Sequence, residues 1–398
     1  MVEKNRNIFQ WVTLIGVLVV LFPIIGKGQE FFPLPKPTHL EAGVPRSNLM
    51  VVKRIPFDFK EDVFMAEPVM IAVNKSGHMY IFDKKLYKVF ILNNKAEYVS
   101  QFLESGAGPG EAFPPRTHAS PFLDISVGWN GKFYISDGDG DKIIEFTESG
   151  RYLRDIKTNR ITHTRLPSPP KVDKNGFFYV YSINNGIIDQ MDTNMKLVHT
   201  YLQRDLNNQY VYYKPTYQNK ISHISGSKGG KPVIVDPAIK KSWLDAKTEN
   251  TFYDLTANGL LLVYLKSPST VYLFNGKNLI RKFDILVDRV LVDYKKRVDT
   301  TIANARKNYP QFVSSLDIPM FLSFIMDYDA PYFYLQTIGD KQVVLYQFDF
   351  TGKLVKILPC PKKLVVNLTV KRNGLFYGIA HDSEEEEAYP IILKSEEK

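Results

Sequence analysis

Apolar and polar residues alternate in short runs from residue 48 almost to the end of the chain, and each run stops at a turn-forming pair. The clearest unit is Leu123–Lys157. Phe122–Trp129 alternates and ends at Asn130-Gly131. Lys132–Ser136 carries Phe133, Tyr134 and Ile135 and breaks at Asp137-Gly-Asp-Gly. Ile143–Phe146 ends at Ser149-Gly150, and Tyr152–Ile156 closes the unit. Runs of this length, rich in β-branched and aromatic residues and bounded by Gly, Asn and Asp, predict an antiparallel meander of four strands. One such sheet is marginal alone, so further copies are expected to stack against it.

The same pattern recurs over 68–103, 169–202, 250–285, 320–358 and 364–394. Four of the turns align: Lys75-Ser-Gly-His-Met-Tyr80, Trp129-Asn-Gly-Lys-Phe-Tyr134, Lys174-Asn-Gly-Phe-Phe-Tyr179 and Arg372-Asn-Gly-Leu-Phe-Tyr377. In each the glycine supplies a positive φ, and the tyrosine or its neighbour packs between sheets. Six such sheets predict an all-β, six-bladed β-propeller. The sixth repeat holds only three strands, whereas Asn48–Phe57 is a strand with no repeat of its own. Pairing it beside Tyr389–Lys394 completes the last blade and removes an exposed edge.

These residues carry a resemblance. Gly106-Ala-Gly-Pro-Gly-Glu-Ala-Phe113, then Gly131-Lys-Phe-Tyr-Ile-Ser-Asp137, then Ile143-Ile-Glu-Phe146 with Gly150 resemble NHL-type units, and the whole resembles the exported bacterial 6-bladed β-propeller family. The likeness is closest over 68–157, looser over 169–202 and 320–394, and weakest in the fourth repeat. It implies the fold and says little of activity, because one scaffold hosts many functions.

Turns of a propeller alternate between its two faces. The Asn-Gly turns and Ser149-Gly150 fall on one; the long segments 104–121, 158–168, 203–249 and 286–319 fall on the other, which is therefore the expected working face. The 203–247 insert holds eight lysines and arginines against three aspartates, together with Tyr210, Tyr212, Tyr213, Tyr217 and Trp243. It reads either as a basic, aromatic lid for an anionic or carbohydrate ligand, with Tyr212, Tyr213 and Lys214 in contact, or as a hairpin with a solvated basic surface. The 286–319 insert is expected to contain one helix. Val287, Leu291, Tyr294, Val298, Ile302, Ala305 and Tyr309 recur at three- and four-residue steps and would pack on the propeller.

Composition bounds the rest. The chain has 398 residues, a net charge of +9 and one cysteine, Cys360, so no intrachain disulfide holds the fold. The positive charge is scattered lysine, not a nucleic-acid footprint. Residues 1–28 read as a signal peptide: a positive start, an apolar run from Ile8 to Ile25, and Gly26-Lys-Gly28 before a cut. The alternative is an uncleaved anchor over residues 8–25, the one route to a membrane. Export to the periplasm or beyond follows from either. Residues 29–47, with Pro33, Pro35, Pro37 and Pro45, form an extended tether, and 48–398 form the propeller.

Candidate chemistry is sparse. Asp137-Gly-Asp-Gly-Asp141 with Glu148 has the carboxylate spacing of a calcium loop, but Lys142 stands where its glycine belongs, so a strand turn is favoured. Gly106-Ala-Gly-Pro-Gly-Glu111 lacks the Lys-Ser/Thr of a phosphate loop and reads as an interblade turn with Glu111 bonding backbone amides. Glu384–Glu387 reads as a solvated acidic hairpin tip. His118, His163 and His223 would supply zinc ligands by resemblance to the amidating lyases that share the NHL repeat, although their spacing carries no signal. The related lactonase propellers hold a divalent ion at inner-strand starts, which in this chain only Glu67, Asp124 and Asn250 fit. Arg116 and His118 flank the channel as candidate ligand contacts beside Asp124. The expected role is a ligand- or protein-binding module without a cofactor; the alternative is a zinc- or calcium-dependent hydrolase or lyase at the channel mouth.

Overall fold

The computed structural model describes residues 43–113, 123–138, 140, 142–158, 170–181, 188–202, 251–265, 270–285, 323–338, 343–362, 364–382 and 388–396. The chain opens with β1 (Leu49–Arg54), β2 (Asp58–Lys60) and β3 (Val63–Phe64). Five meanders follow. The first is β4 (Pro68–Val73), β5 (Met79–Asp83), β6 (Lys88–Leu92) and β7 (Tyr98–Phe102). After the short pair β8 (Glu104–Ser105) and β9 (Glu111–Ala112) comes the second: β10 (Leu123–Val127), β11 (Lys132–Asp137), β12 (Lys142–Thr147) and β13 (Tyr152–Lys157). The third is β14 (Lys171–Val172), β15 (Phe178–Tyr181), β16 (Ile188–Met191) and β17 (Leu197–Tyr201). The fourth is β18 (Thr251–Leu255), β19 (Leu260–Leu265), β20 (Thr270–Asn275) and β21 (Asn278–Asp284). The fifth is β22 (Ser323–Met326), β23 (Tyr332–Ile338), β24 (Val343–Asp349) and β25 (Leu354–Pro359). Last come β26 (Leu364–Arg372), β27 (Leu375–Asp382) and β28 (Ala388–Ser395).

Each meander is one four-stranded antiparallel blade, and the sixth has the order β1-β28-β27-β26. The strand from the front of the chain therefore closes the ring, as its missing partner predicts, with Leu49 opposite Ser395 and Arg54 opposite Ile391. The seal extends further than the alternation implies. Arg46 bridges Ile357 on the outer strand of the fifth blade, where the Ser47 amide donates to the Ile357 carbonyl at 3.1 Å and the Ile357 amide to that of Pro45 at 3.0 Å. Ser47 Oγ also donates to the Glu396 carbonyl at 2.6 Å. The entering chain thus ties the fifth blade to the sixth. The described residues form no helix; the helix expected in 286–319, and both readings of residues 1–28, lie outside them.

The turns between third and fourth strands share one device. Asn93, Thr147, Asp192 and Asp349 each accept, through a side-chain oxygen, the amide four residues on, at 2.8–3.0 Å. The residue before that amide takes a positive φ: 60° at Ala96, 83° at Gly150, 61° at Met195 and 86° at Gly352. At Gly150 and Gly352 glycine is required twice over, since a Cβ would stand 2.6 Å from the Phe102 ring and 2.5 Å from that of Phe283. The tyrosines of the aligned turns meet the next blade as expected: Tyr80 stacks on Phe133 with centroids 4.7 Å apart, and Tyr134 meets Phe178 edge-on at 5.4 Å. Such pairs add about 0.5–1.5 kcal/mol beyond burial.

Candidate functional site

Every inner strand ends in a turn on the same face, and one residue stands at the same register position just before each turn. In blade order these positions are Lys75, Trp129, Lys174, Ala257, Tyr328 and Arg372. Four of them line an open cavity of about 480 Å³, together with Ser76, Gly131 and Glu148. This mouth lies on the Asn-Gly face, opposite the face singled out by the long inserts.

The centre of the mouth is an aromatic and ionic knot. The Trp129 indole Nε1 donates across the channel to the Leu255 carbonyl at 3.0 Å. Its ring meets Tyr328 edge-on, with centroids 5.2 Å apart. The Arg372 guanidinium lies 5.0 Å from the Trp129 ring centroid and 4.4 Å from that of Tyr328. It donates to the Val73 carbonyl at 2.9 Å. Arg372 is 6% exposed, yet among the described residues no carboxylate pairs with it. Burial pulls its pKa down, partly offset by Tyr328, Asp329, Asp254 and Glu148; a guanidinium stays charged regardless. Stacking on two rings and one carbonyl leaves most of its five donors uncommitted.

Beneath this knot the channel is polar. Asp254 accepts from Lys171 Nζ at 3.0 Å and from the Tyr328 hydroxyl at 2.8 Å. Burial opposes a charge on Lys171, but Asp254, helped by the Tyr328 and Tyr253 hydroxyls, holds its ammonium above the ordinary lysine value. Burial also raises the Tyr328 hydroxyl, as does the charge on Asp254. Towards the far end, burial pushes the Asp124 carboxyl up to about 7, against the Ile125 amide and the Lys171 charge, which lower it. Asp124 accepts the Ile125 amide at 2.9 Å.

This yields a pH prediction. A carboxyl whose folded pKa lies above its unfolded value of about 3.9 binds its proton more tightly when folded, so its contribution is fully present below about pH 4 and is lost as pH rises through about 7. Asp124→Asn is therefore expected to be more stable than the parent at pH 8, by about 1–3 kcal/mol after allowing for solvent in the channel, and equal to it near pH 4. Urea midpoints at the two pH values check this; a difference independent of pH would contradict it.

Of the other candidates read from the sequence, Glu67 lines a second cavity, of about 390 Å³, between the first and sixth blades, with Asn367 and His381. It pairs with Lys84 at 3.3 Å. Arg116, His118, His163, Tyr212, Tyr213, Lys214, His223 and Asn250 lie outside the described residues. Among the described residues, no three His, Cys, Asp or Glu side chains gather as a metal would require.

In both loop motifs a carboxylate bonds the chain's own amides; Asp139 and Asp141 of the aspartate-rich turn lie outside the described residues. In the glycine-rich segment the Gly108 amide donates to Glu111 at 2.8 Å, so the chain's own carboxylate sits where an anion would. In the aspartate-rich turn Asp137 accepts the Gly140 and Phe113 amides, both at 2.9 Å. Burial pushes the Cys360 thiol up to about 12, which leaves no thiolate near neutrality.

The Trp129–Tyr328–Arg372 knot was not singled out from the sequence, although the signal was present. The aligned turns put Lys75, Trp129 and Arg372 at one register position; three large cationic or aromatic residues at an axial position mark a channel mouth.

The sequence model of a protein family described as a 6-bladed beta-propeller matches residues 43–237. No curated protein matches the chain. Among solved structures, a Bacteroides fragilis protein assigned as exported is 10% identical, with a TM-score of 0.50 over 92% of this chain and 99% of that one. A DUF4221-family member from Bacteroides vulgatus is 10% identical, with a TM-score of 0.51 over 89% and 99%. A gluconolactonase from Xanthomonas campestris is 10% identical, with a TM-score of 0.45 over 92% and 99%. At such identities the likeness is one of fold, and the lactonase's activity is its own.

Proposed function

We propose that this six-bladed β-propeller, similar over its first half to the 6-bladed beta-propeller family, is an exported binding module that takes an anionic ligand at the Asn-Gly end of its channel. One observation carries the reading: Arg372 is buried at the wall of an open cavity with no carboxylate partner among the described residues. A desolvated, unpaired cation is costly, and a protein retains one where a ligand supplies the counter-charge. Trp129 and Tyr328 hold the guanidinium plane and offer apolar contact beside it, as small-ligand sites do. The basic insert 203–247 and the contacts Arg116, His118, Tyr212, Tyr213 and Lys214 would serve a second approach from the other face.

A thermal-shift panel of small carboxylates, phosphates and sulfates tests the reading. At least one anion is expected to raise the melting temperature of the parent protein by several degrees and to leave Arg372→Gln unmoved. A panel with no Arg372-dependent shift would overturn it. The rival, a metal-dependent hydrolase or lyase using His118, His163 and His223, predicts stoichiometric zinc or calcium that His118→Ala loses; elemental analysis of the purified protein is expected to find neither.

A further inference from the structure

Resting on that binding reading, we infer that the ligand at the Arg372 cavity is a small monocarboxylate bearing hydroxyl groups, of the hexuronate class. The cavity wall carries two unlike charges that leave each other alone. Arg372 and Glu148 both line it, and no ion pair joins them. Among the described residues the Glu148 carboxylate accepts no hydrogen bond; only its backbone carbonyl is engaged, by the Tyr80 hydroxyl at 2.8 Å. A buried donor set and an open acceptor set therefore face one space.

A ligand that satisfies both carries an acid group at one end and hydroxyl donors at the other. Its carboxylate takes the free guanidinium edge, the geometry in which arginine and carboxylate bond in parallel. Its hydroxyls donate to Glu148. Lys75 is the third charged residue of the wall, so the lining holds two cations against one anion and matches a single negative charge. A phosphate dianion would meet Glu148 with a surplus charge. Trp129 and Tyr328 offer apolar aromatic surface for the C–H groups of a sugar ring, and about 480 Å³ accommodates a mono- or disaccharide.

Isothermal titration of the full chain with sodium glucuronate, glucose and inorganic phosphate tests this. Glucuronate is expected to bind at least about tenfold tighter than either competitor, since glucose lacks the charge-assisted bidentate contact and the second negative charge of phosphate is repelled by Glu148. Arg372→Gln is expected to abolish glucuronate binding. Arg372→Lys, which keeps the charge but not the fork, is expected to weaken it by about tenfold, and its near-native melting curve controls for folding. Glu148→Gln is expected to narrow the gap between glucuronate and phosphate. Glucose binding as tightly as glucuronate, phosphate binding more tightly, or no heat from glucuronate at millimolar concentration would each overturn the hexuronate class. An Arg372-dependent thermal shift with some other anion would leave the binding reading standing while this class fell; the loss of every Arg372-dependent effect would remove both.

Discussion

A chain beginning at residue 58 is expected to melt about 5–10 °C below one beginning at residue 43. The difference is the closing strand. Its removal takes Leu49 and Ile55, each 2% exposed, out of the sixth blade, at about 1.5–3 kcal/mol for each side chain. It also strips β28 of a hydrogen-bonded neighbour from Ser395 to Ile391, leaving the edge of a central strand open to pairing with other molecules. The bridge from Arg46 to Ile357 goes with it, so the fifth and sixth blades lose their shared tie. A loss of about 5 kcal/mol corresponds to roughly 7 °C in a domain of this size, at about 2.1 cal/mol/K of unfolding entropy per residue. Size-exclusion chromatography is expected to show aggregates of the shortened chain. Coincident melting curves would mean that the ring closes without β1.

The second large effect is expected at Asp83. This side chain is fully buried at the end of β5. Its Oδ2 accepts the Ala66 and Glu67 amides at 2.5 and 2.8 Å, and its Oδ1 accepts the Leu86 amide at 2.8 Å. One carboxylate thereby fixes both the chain entering the first blade and the turn leaving β5. Asp83→Ala strands three donors, each costing about 1–3 kcal/mol when left unmade inside a protein. A total loss of about 3–5 kcal/mol is expected in urea unfolding, because partial relaxation admits water to some of them. Asp83→Asn keeps an acceptor oxygen and is expected to lose about half as much. A loss below about 1 kcal/mol for alanine would show that the amides find other partners. Asp137 repeats the arrangement in the second blade, on Phe113 and Gly140.

The blades were legible because each strand is short and each turn carries its own chemistry. Asn93, Thr147, Asp192 and Asp349 bond their own backbone, so the turn is written in four residues. The closing strand was legible for a different reason: a repeat short of one strand and a strand short of a repeat imply each other. The lead-in over 44–47 escaped, because a parallel bridge to Ile357 leaves no alternation in so brief a segment. The pair β8–β9 escaped likewise, being two residues on each side.

The site was less legible. Asp124 is legible as an inner-strand carboxylate, but the burial that raises its pKa and the Lys171 charge from the third blade that lowers it come from packing, which no local pattern encodes. The long loops single out one face, whereas the cavity at Arg372 opens on the face of the tightest turns. Trp129 contacts Leu255, Tyr328 and Arg372, each more than a hundred residues away in sequence. No local pattern encodes such a meeting; it follows from closing the ring, and only the shared register of the aligned turns hints at it.

The meeting of Trp129 and Arg372 is also where the account is most directly exposed. A double-mutant cycle with Trp129→Leu and Arg372→Met, read in urea unfolding, measures whether second and sixth blades touch across the axis. The expected coupling is about 1–2 kcal/mol, the worth of a desolvated guanidinium on an aromatic face. Single-mutant losses that add to within about 0.3 kcal/mol would contradict a closed ring with these two side chains at its mouth.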